Sequence, residues 1–283
     1  MILCEPVGSI RCQWGEGPIW AKDHLYYVDI EGHMVHRYDP QSGKERSWDV
    51  GQRVGTVVAR KGEGLVIAGD KGFSFLDEDC GEVTPIADPE PDIADNRFND
   101  GKCSPDGRFF AGSISLVKKE GSAKLYRLDP DHSVHETFGP VTNSNGIVWS
   151  PDGNTVYYID TPRKEVLEFD YHKGELLNVR TAFGTGHIEA SPDGMAIDSD
   201  GNLWIAFCHG GCVSCFQPEH GDELHRVAIP CLETTACAFG GPDLSDLYVT
   251  TGVHKTVEEE HAGQLFRVHG LGVKGLPSNY FGD

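Results

Sequence analysis

Ser150-Pro151-Asp152-Gly153-Asn154-Thr155-Val156-Tyr157-Tyr158-Ile159 is a tight turn followed by a strand. Proline presets φ for the corner, glycine supplies a positive φ, and the β-branched and aromatic run behind them suits a buried pleated surface. The same pairing recurs on both sides. Ser104-Pro105-Asp106-Gly107 precedes Arg108-Phe109-Phe110-Ala111, and Asp198-Ser199-Asp200-Gly201 precedes Asn202-Leu203-Trp204-Ile205-Ala206. Related runs begin at His24, Gly64 and Asp246, so six runs start near residues 24, 64, 108, 155, 202 and 246. The step is roughly 45 residues, the repeat length of a propeller blade.

A second run follows several of these and ends in an acidic turn, as in Val35-His36-Arg37-Tyr38-Asp39-Pro40, Lys124–Pro130 and Val166–Asp170. Two to four strands per repeat, six repeats and no segment of helical period predict an all-β, six-bladed β-propeller. A sandwich would not repeat a turn motif at this step, and a β-helix would repeat sooner. No linker divides the sequence, so residues 1–283 are read as one propeller domain.

Composition narrows the function classes. The formal net charge is −20, from 44 acidic and 24 basic residues. Such a field repels phosphate backbones and anionic membranes, which argues against both as partners. No stretch approaches the ~18 apolar residues of a membrane span. The start, Met1 to Trp14, lacks a basic region leading into an apolar run, so no signal peptide is expected. Nine cysteines spread from Cys4 to Cys237 do not form a dense disulfide framework. A cytoplasmic protein with reduced thiols is the simplest expectation.

Several chemical motifs fail on inspection. There is no phosphate loop and no Gly-x-Ser-x-Gly nucleophile elbow. Asp198–Asn202 opens like a calcium loop, but Leu203 replaces the required glycine and His209 stands where the bidentate glutamate belongs. Cys208, His209, Cys212 and Cys215 make a soft-metal grouping with one C-x-x-C pair and no second pair nearby, and are read as small buried strand residues. His187, a few residues before Asp193, is a candidate proton carrier.

The informative positions are polar residues ahead of the apolar runs. Trp14–Trp20 places Glu16 between glycines, Asn96–Gly101 opens the third repeat, Asn143–Ile147 the fourth and Ser191–Met195 the fifth. Equivalent positions on successive blades converge on one axis. Glu16, Asn145 and Asp193 would then present two carboxylates and an amide oxygen at one point. Oxygen donors suit one divalent cation such as Ca2+, with Mg2+, Mn2+ or Zn2+ as alternatives. Taken singly, each is equally well a turn residue.

Together, these segments resemble the SMP-30/gluconolactonase/luciferin-regenerating enzyme-like family of regucalcin-like sugar lactonases. The likeness runs from about Glu16 to the closing segment at residues 263–277. It implies a six-bladed propeller with one divalent cation in its channel, held by Glu16, Asn145 and Asp193. It also implies that Arg97 and Asn99 contact the substrate. One departure stands out: Val117 aligns where some sugar-lactone hydrolases carry an acidic residue that meets substrate hydroxyls.

The expected activity is metal-dependent hydrolysis of a sugar lactone to its acid, with a small-molecule lactone as partner and the oligomeric state open. A cation polarises the carbonyl and lowers the pKa of a bound water. Asp193 is the expected general base, or serves only as a ligand. A phosphotriesterase-type hydrolase at the same metal and a calcium-binding regulatory protein without turnover are the competing readings.

Overall fold

The computed structural model describes residues 2–282. Strand β1 (Leu3–Val7) is followed by five complete four-stranded sheets in chain order. The first holds β2 (Gly15–Ala21), β3 (His24–Asp29), β4 (Met34–Tyr38) and β5 (Glu45–Asp49); the second β6 (Val54–Ala59), β7 (Leu65–Gly69), β8 (Gly72–Leu76) and β9 (Val83–Ala87). The third holds β10 (Asn96–Cys103), β11 (Phe109–Ser115), β12 (Ala123–Leu128) and β13 (Val134–Val141); the fourth β14 (Ser144–Trp149), β15 (Thr155–Asp160), β16 (Glu165–His172) and β17 (Glu175–Gly184). The fifth holds β18 (Ser191–Ile197), β19 (Leu203–Cys208), β20 (Cys212–Gln217) and β21 (Asp222–Ala228). The sixth joins β22 (Thr234–Gly240), β23 (Asp246–Thr251) and β24 (Leu265–His269) to β1, so the N-terminal strand completes the last blade.

The expected six-bladed propeller is the observed architecture. All pairings are antiparallel, and the innermost strands β2, β6, β10, β14, β18 and β22 pack in sequence, with β22 returning to β2. Each inner strand hydrogen-bonds on one side only, and its other edge faces the channel, where the ring of blades shelters it. The aromatic runs of the sequence form the second strand of each blade, and the Pro-Asp-Gly corners turn the inner strand into the second. Gly107, Gly153 and Gly201 stand at these corners with φ of 80°, 72° and 89°.

Burial falls outward along each blade. Strand β2 is buried at every position and β14 likewise, whereas β21 is exposed at nearly all of its positions. Buried aromatics knit adjacent blades: Phe73 packs at a tilt on Phe98 and edge-on against Phe109, and Trp204 meets Phe239 edge-on. Such pairs add about 0.5–1.5 kcal/mol each beyond their buried area.

Every inner strand breaks register with its neighbour at the same height. The shifts fall between Glu16 and Ile19, Val54 and Thr56, Phe98 and Gly101, Ser144 and Ile147, Pro192 and Met195, and Thr234 and Ala236. A bulge bends the strand and re-aims its side chains. It also brings backbones close: a Cβ on Gly146 would lie 2.5 Å from Met195 Cβ, and one on Gly194 2.3 Å from Ala236 Cβ. Among the described residues, no helix is long and apolar enough to cross a membrane.

Candidate functional site

The bulges collect polar side chains at one end of the central channel. A cavity of about 970 Å3 opens there, lined at its base by Glu16, Arg97, Asn99, Asn145 and Asp193. All five are nearly buried, with exposures of 2–8%. They stand in the first halves of the inner strands. The second halves, through Ile19, Val148, Ala196 and Ala238, face a smaller and more apolar cavity at the other end, where Leu276 and Pro277 also stand.

The amide of Asn145 is oriented by its surroundings. Thr161 Oγ1 donates to Pro192 O (2.9 Å), so it accepts from Asn145 Nδ2 (2.7 Å). Asn145 Oδ1 therefore points to the channel, where Asn99 Nδ2 donates to it at 3.1 Å. Asn99 Nδ2 also donates to Ser144 O (2.7 Å), and Asn99 Oδ1 accepts from Arg97 Nη1 at 2.8 Å. Arg97 Nη1 further meets Phe98 O, while its Nε is buried without a partner among the described residues.

The carboxylates lack a protein cation in hydrogen-bonding contact. Glu16 accepts from Gly17 N at 3.0 Å. Asp193 accepts no hydrogen bond from any described residue. Asp100 takes Gly101 N on Oδ1 and leaves Oδ2 buried and unpartnered. Burial, and then the neighbouring Asp100 charge, pushes Glu16 up to about 8. Burial, with Glu16, Asp100 and Glu233 behind it, holds Asp193 well above the carboxylate range. Burial alone would also pull Arg97 down, and it falls to about 10 despite acidic neighbours. Three buried carboxyl groups that repel one another form a strong field for a cation. Glu16, Asp193 and the oriented Asn145 oxygen fit a hard divalent ion, and Asp100 adds negative charge nearby.

Asp100 was not singled out by the sequence, although it shares the residue-then-glycine context of Glu16, Asn145 and Asp193. The loop after β11 departs from expectation. Val117 is 60% exposed and does not line the cavity; Lys118 and Glu120 do. Strand β11 ends at Ser115, and Lys118 has left-handed backbone (φ 54°) in the turn that follows, so the loop leaves the strand direction there. His187 is exposed in the β17–β18 connection and does not line the cavity. Cys212 and Cys215 pack into two separate apolar clusters and do not join Cys208 and His209. Instead, Cys208 Sγ donates to Glu233 Oε2 (3.0 Å), and His209 Nδ1 lies 2.8 Å from the same oxygen. All nine cysteines are free thiols.

The sequence profile of the SMP-30/Gluconolactonase/LRE-like region matches residues 14–253. The chain belongs to this family. It is 40% identical to the regucalcin of Xenopus laevis over 294 aligned residues, covering 99% of this chain and 98% of that protein. The luciferin-regenerating enzyme superposes with a TM-score of 0.92 at 29% identity, over the whole of both chains. The calcium-binding protein regucalcin of Agrobacterium tumefaciens superposes with a TM-score of 0.91 at 25% identity, covering 96% and 95% of the two chains. A family member of this kind has a sugar lactonase or regucalcin-type role, and its propeller presents the polar channel mouth just described.

Proposed function

We propose that the chain is a divalent-metal-dependent lactonase that hydrolyses a sugar lactone to its acid. The observation that carries this reading is the convergence of Glu16, Asp193 and the oriented Asn145 oxygen beside the Arg97 guanidinium at the base of one cavity. Ca2+ is the ion that this all-oxygen set and the calcium-binding relative favour. When bound, such a cation polarises the lactone carbonyl and favours ionisation of water.

The chain's own groups supply the rest. Arg97, with Nε unsatisfied, donates to charge growing on the carbonyl oxygen or to ring hydroxyls. Asn99 holds Arg97 through Oδ1 and Asn145 through Nδ2, so it sets the spacing between anchor and donor. Asp193 accepts the proton of the attacking water as its oxygen bonds to the carbonyl carbon. It returns that proton to the ring oxygen when the ester C–O bond breaks. Its raised pKa in the bare site is a product of repulsion and burial, which a bound cation opposes. At the rim, Lys118 and Glu120 stand where substrate hydroxyls would emerge, taking the place expected for Val117.

A calcium-binding role without turnover has less support. A cavity of about 970 Å3 with a buried guanidinium at its base serves a ligand larger than an ion. Turnover on aldonolactones, measured in chelator-stripped chain and after Ca2+, Zn2+, Mg2+ or Mn2+ is restored, tests the reading. Loss on stripping and recovery with a cation is expected; full turnover in the stripped chain would overturn it.

A further inference from the structure

The cavity's rim carries a second donor set of different chemistry. We propose that Cys208, His209 and Glu233 form a binding site for a thiophilic divalent cation, Zn2+ above all, separate from the oxygen-rich site on the axis. The set is assembled by the fold. A backbone bridge joins Cys208, at the end of β19, to Glu233, just before β22 in the next blade. Consecutive extended residues point to opposite sides, but His209 has left-handed backbone (φ 65°). Both side chains therefore reach the same carboxylate. Cys208 Sγ lies 3.0 Å and His209 Nδ1 2.8 Å from Glu233 Oε2.

Three features suit an ion. Donors bonded at 2.0–2.3 Å around tetrahedral zinc stand roughly 3.3–3.6 Å apart, so these atoms need move apart by only about half an ångström. Glu233 is 2% exposed, and among the described residues no lysine or arginine side chain pairs with it; the Cys208 thiol, His209 and, at 3.7 Å, His254 face it. A buried carboxylate answered by two imidazoles gains strongly from a cation. The site is also open, because Cys208 and His209 line the large cavity and leave a side for entry and for a water ligand. Cysteine, histidine and carboxylate are together a zinc-type donor set, where Glu16, Asn145 and Asp193 are not.

His254 supports the set without joining it. Its Nδ1 accepts from Thr256 N (3.1 Å) and Val257 N (3.0 Å), which places the ring proton on Nε2, facing Glu233 Oε1. It is a positioning residue for the carboxylate. By contrast, the close trio Cys12, Asp29 and His36 offers no such site. It is buried throughout, and Gln13 N, Trp14 N and Gly32 N already occupy both Asp29 oxygens.

Binding replaces the Cys208 S–H bond by a sulfur–metal bond and releases that proton to solvent. On His209 the Nδ1 proton that Glu233 accepts in the empty site passes through solvent to Nε2, so that Nδ1 offers its lone pair to the ion. An occupied site ties the β19–β20 turn to the chain before β22, with His254 bringing in the segment after β23.

The test uses the full, reduced, chelator-stripped chain titrated with Co2+ and then Zn2+. One equivalent of Co2+ should develop a thiolate-to-cobalt charge-transfer band that Zn2+ abolishes, with one proton released per ion. The Glu16→Gln chain should show the same band. Cys208→Ser should remove it, His209→Ala should weaken cobalt binding, and His254→Ala should weaken it roughly 10–100-fold. No band in the native chain, a band that survives Cys208→Ser, or loss of the band in Glu16→Gln would each overturn the proposal. If Cys208→Ser does not fold, the exposed His209 decides: cobalt affinity unchanged in His209→Ala would overturn it.

Discussion

Two clusters share one cavity and differ in how they are built. The axial group, Glu16, Asn99, Asn145 and Asp193, stands at matching bulges on four of the six inner strands. The rim group, Cys208, His209 and Glu233, comes from a hairpin turn and the start of the next blade; the bridge recurs as Trp14–Gly252 and Ile114–Asn143, but among the described residues these carry no such sulfur, imidazole and carboxylate set. The axial donors are all oxygen and repel one another; the rim adds sulfur and nitrogen and is already bridged by hydrogen bonds. Symmetry makes the first kind of site, because a repeat delivers equal positions to one axis. A local break in strand geometry makes the second.

The largest effect should come from the axis. Asp193→Asn is expected to lower kcat/KM on a lactone by 10²–10⁴-fold, since a general base contributes on that scale. The cobalt band at the rim should be unaffected. Steady-state kinetics and cobalt spectra on one preparation check both halves, and near-native turnover would remove Asp193 from the chemistry.

Arg97→Ala should cost about 2.7–4 kcal/mol of transition-state stabilisation, the loss of one aimed donor. Metal content should stay at the native level. If elemental analysis found the cation gone as well, Arg97 would belong to the ion's support and not to the substrate's.

Acid distinguishes loss of a site from loss of the fold. His36, in blade one, is held down to about 4, chiefly by burial, against an ordinary value near 6.5. Between those pH values the unfolded chain binds a proton that the folded chain refuses. Its contribution is complete above about 6.5 and declines towards pH 4, by up to about 3 kcal/mol. Urea midpoints at pH 7 and pH 5 should fall with acid in the native chain and fall less in His36→Gln. An equal fall in both would place the acid sensitivity elsewhere, and metal titrations are best read above this window.

The smallest effect concerns the rim's acidic residue. Glu120→Gln should shift the ratio of kcat/KM for hexonolactones over pentonolactones by about tenfold, the difference between a charge-assisted and a neutral hydrogen bond. Val117→Glu should leave that ratio alone, because Val117 is exposed and does not line the cavity. A response to Val117→Glu alone would reverse the two positions.

Much of this was readable from the chain. Pro-Asp-Gly corners and a step of about 45 residues specify blades, and the glycine beside each polar residue marks where inner backbones touch. Gly146 and Gly194 show why: any Cβ there would enter the neighbouring strand. Asp100 carries the same mark in Asp100-Gly101, but two polar residues in one bulge gave no sign of which faced the axis. Val117 misled because it was placed by alignment with relatives, and the turn that follows β11 brings Lys118 and Glu120 to the cavity instead.

Sequence alone therefore determined the propeller and its six repeats, because periodic spacing maps directly onto rotational symmetry, and it put forward Glu16, Asn145 and Asp193 as candidates for the axis. Tertiary structure decided what spacing does not encode. It turned the Asn145 oxygen inward through Thr161, and it brought Lys118 and Glu120 to the mouth in place of Val117. It separated Cys208 and His209 from Cys212 and Cys215 and paired them with Glu233, twenty-five residues from Cys208. Turn geometry and the packing of one blade on the next set those contacts, and neither leaves a period in the sequence.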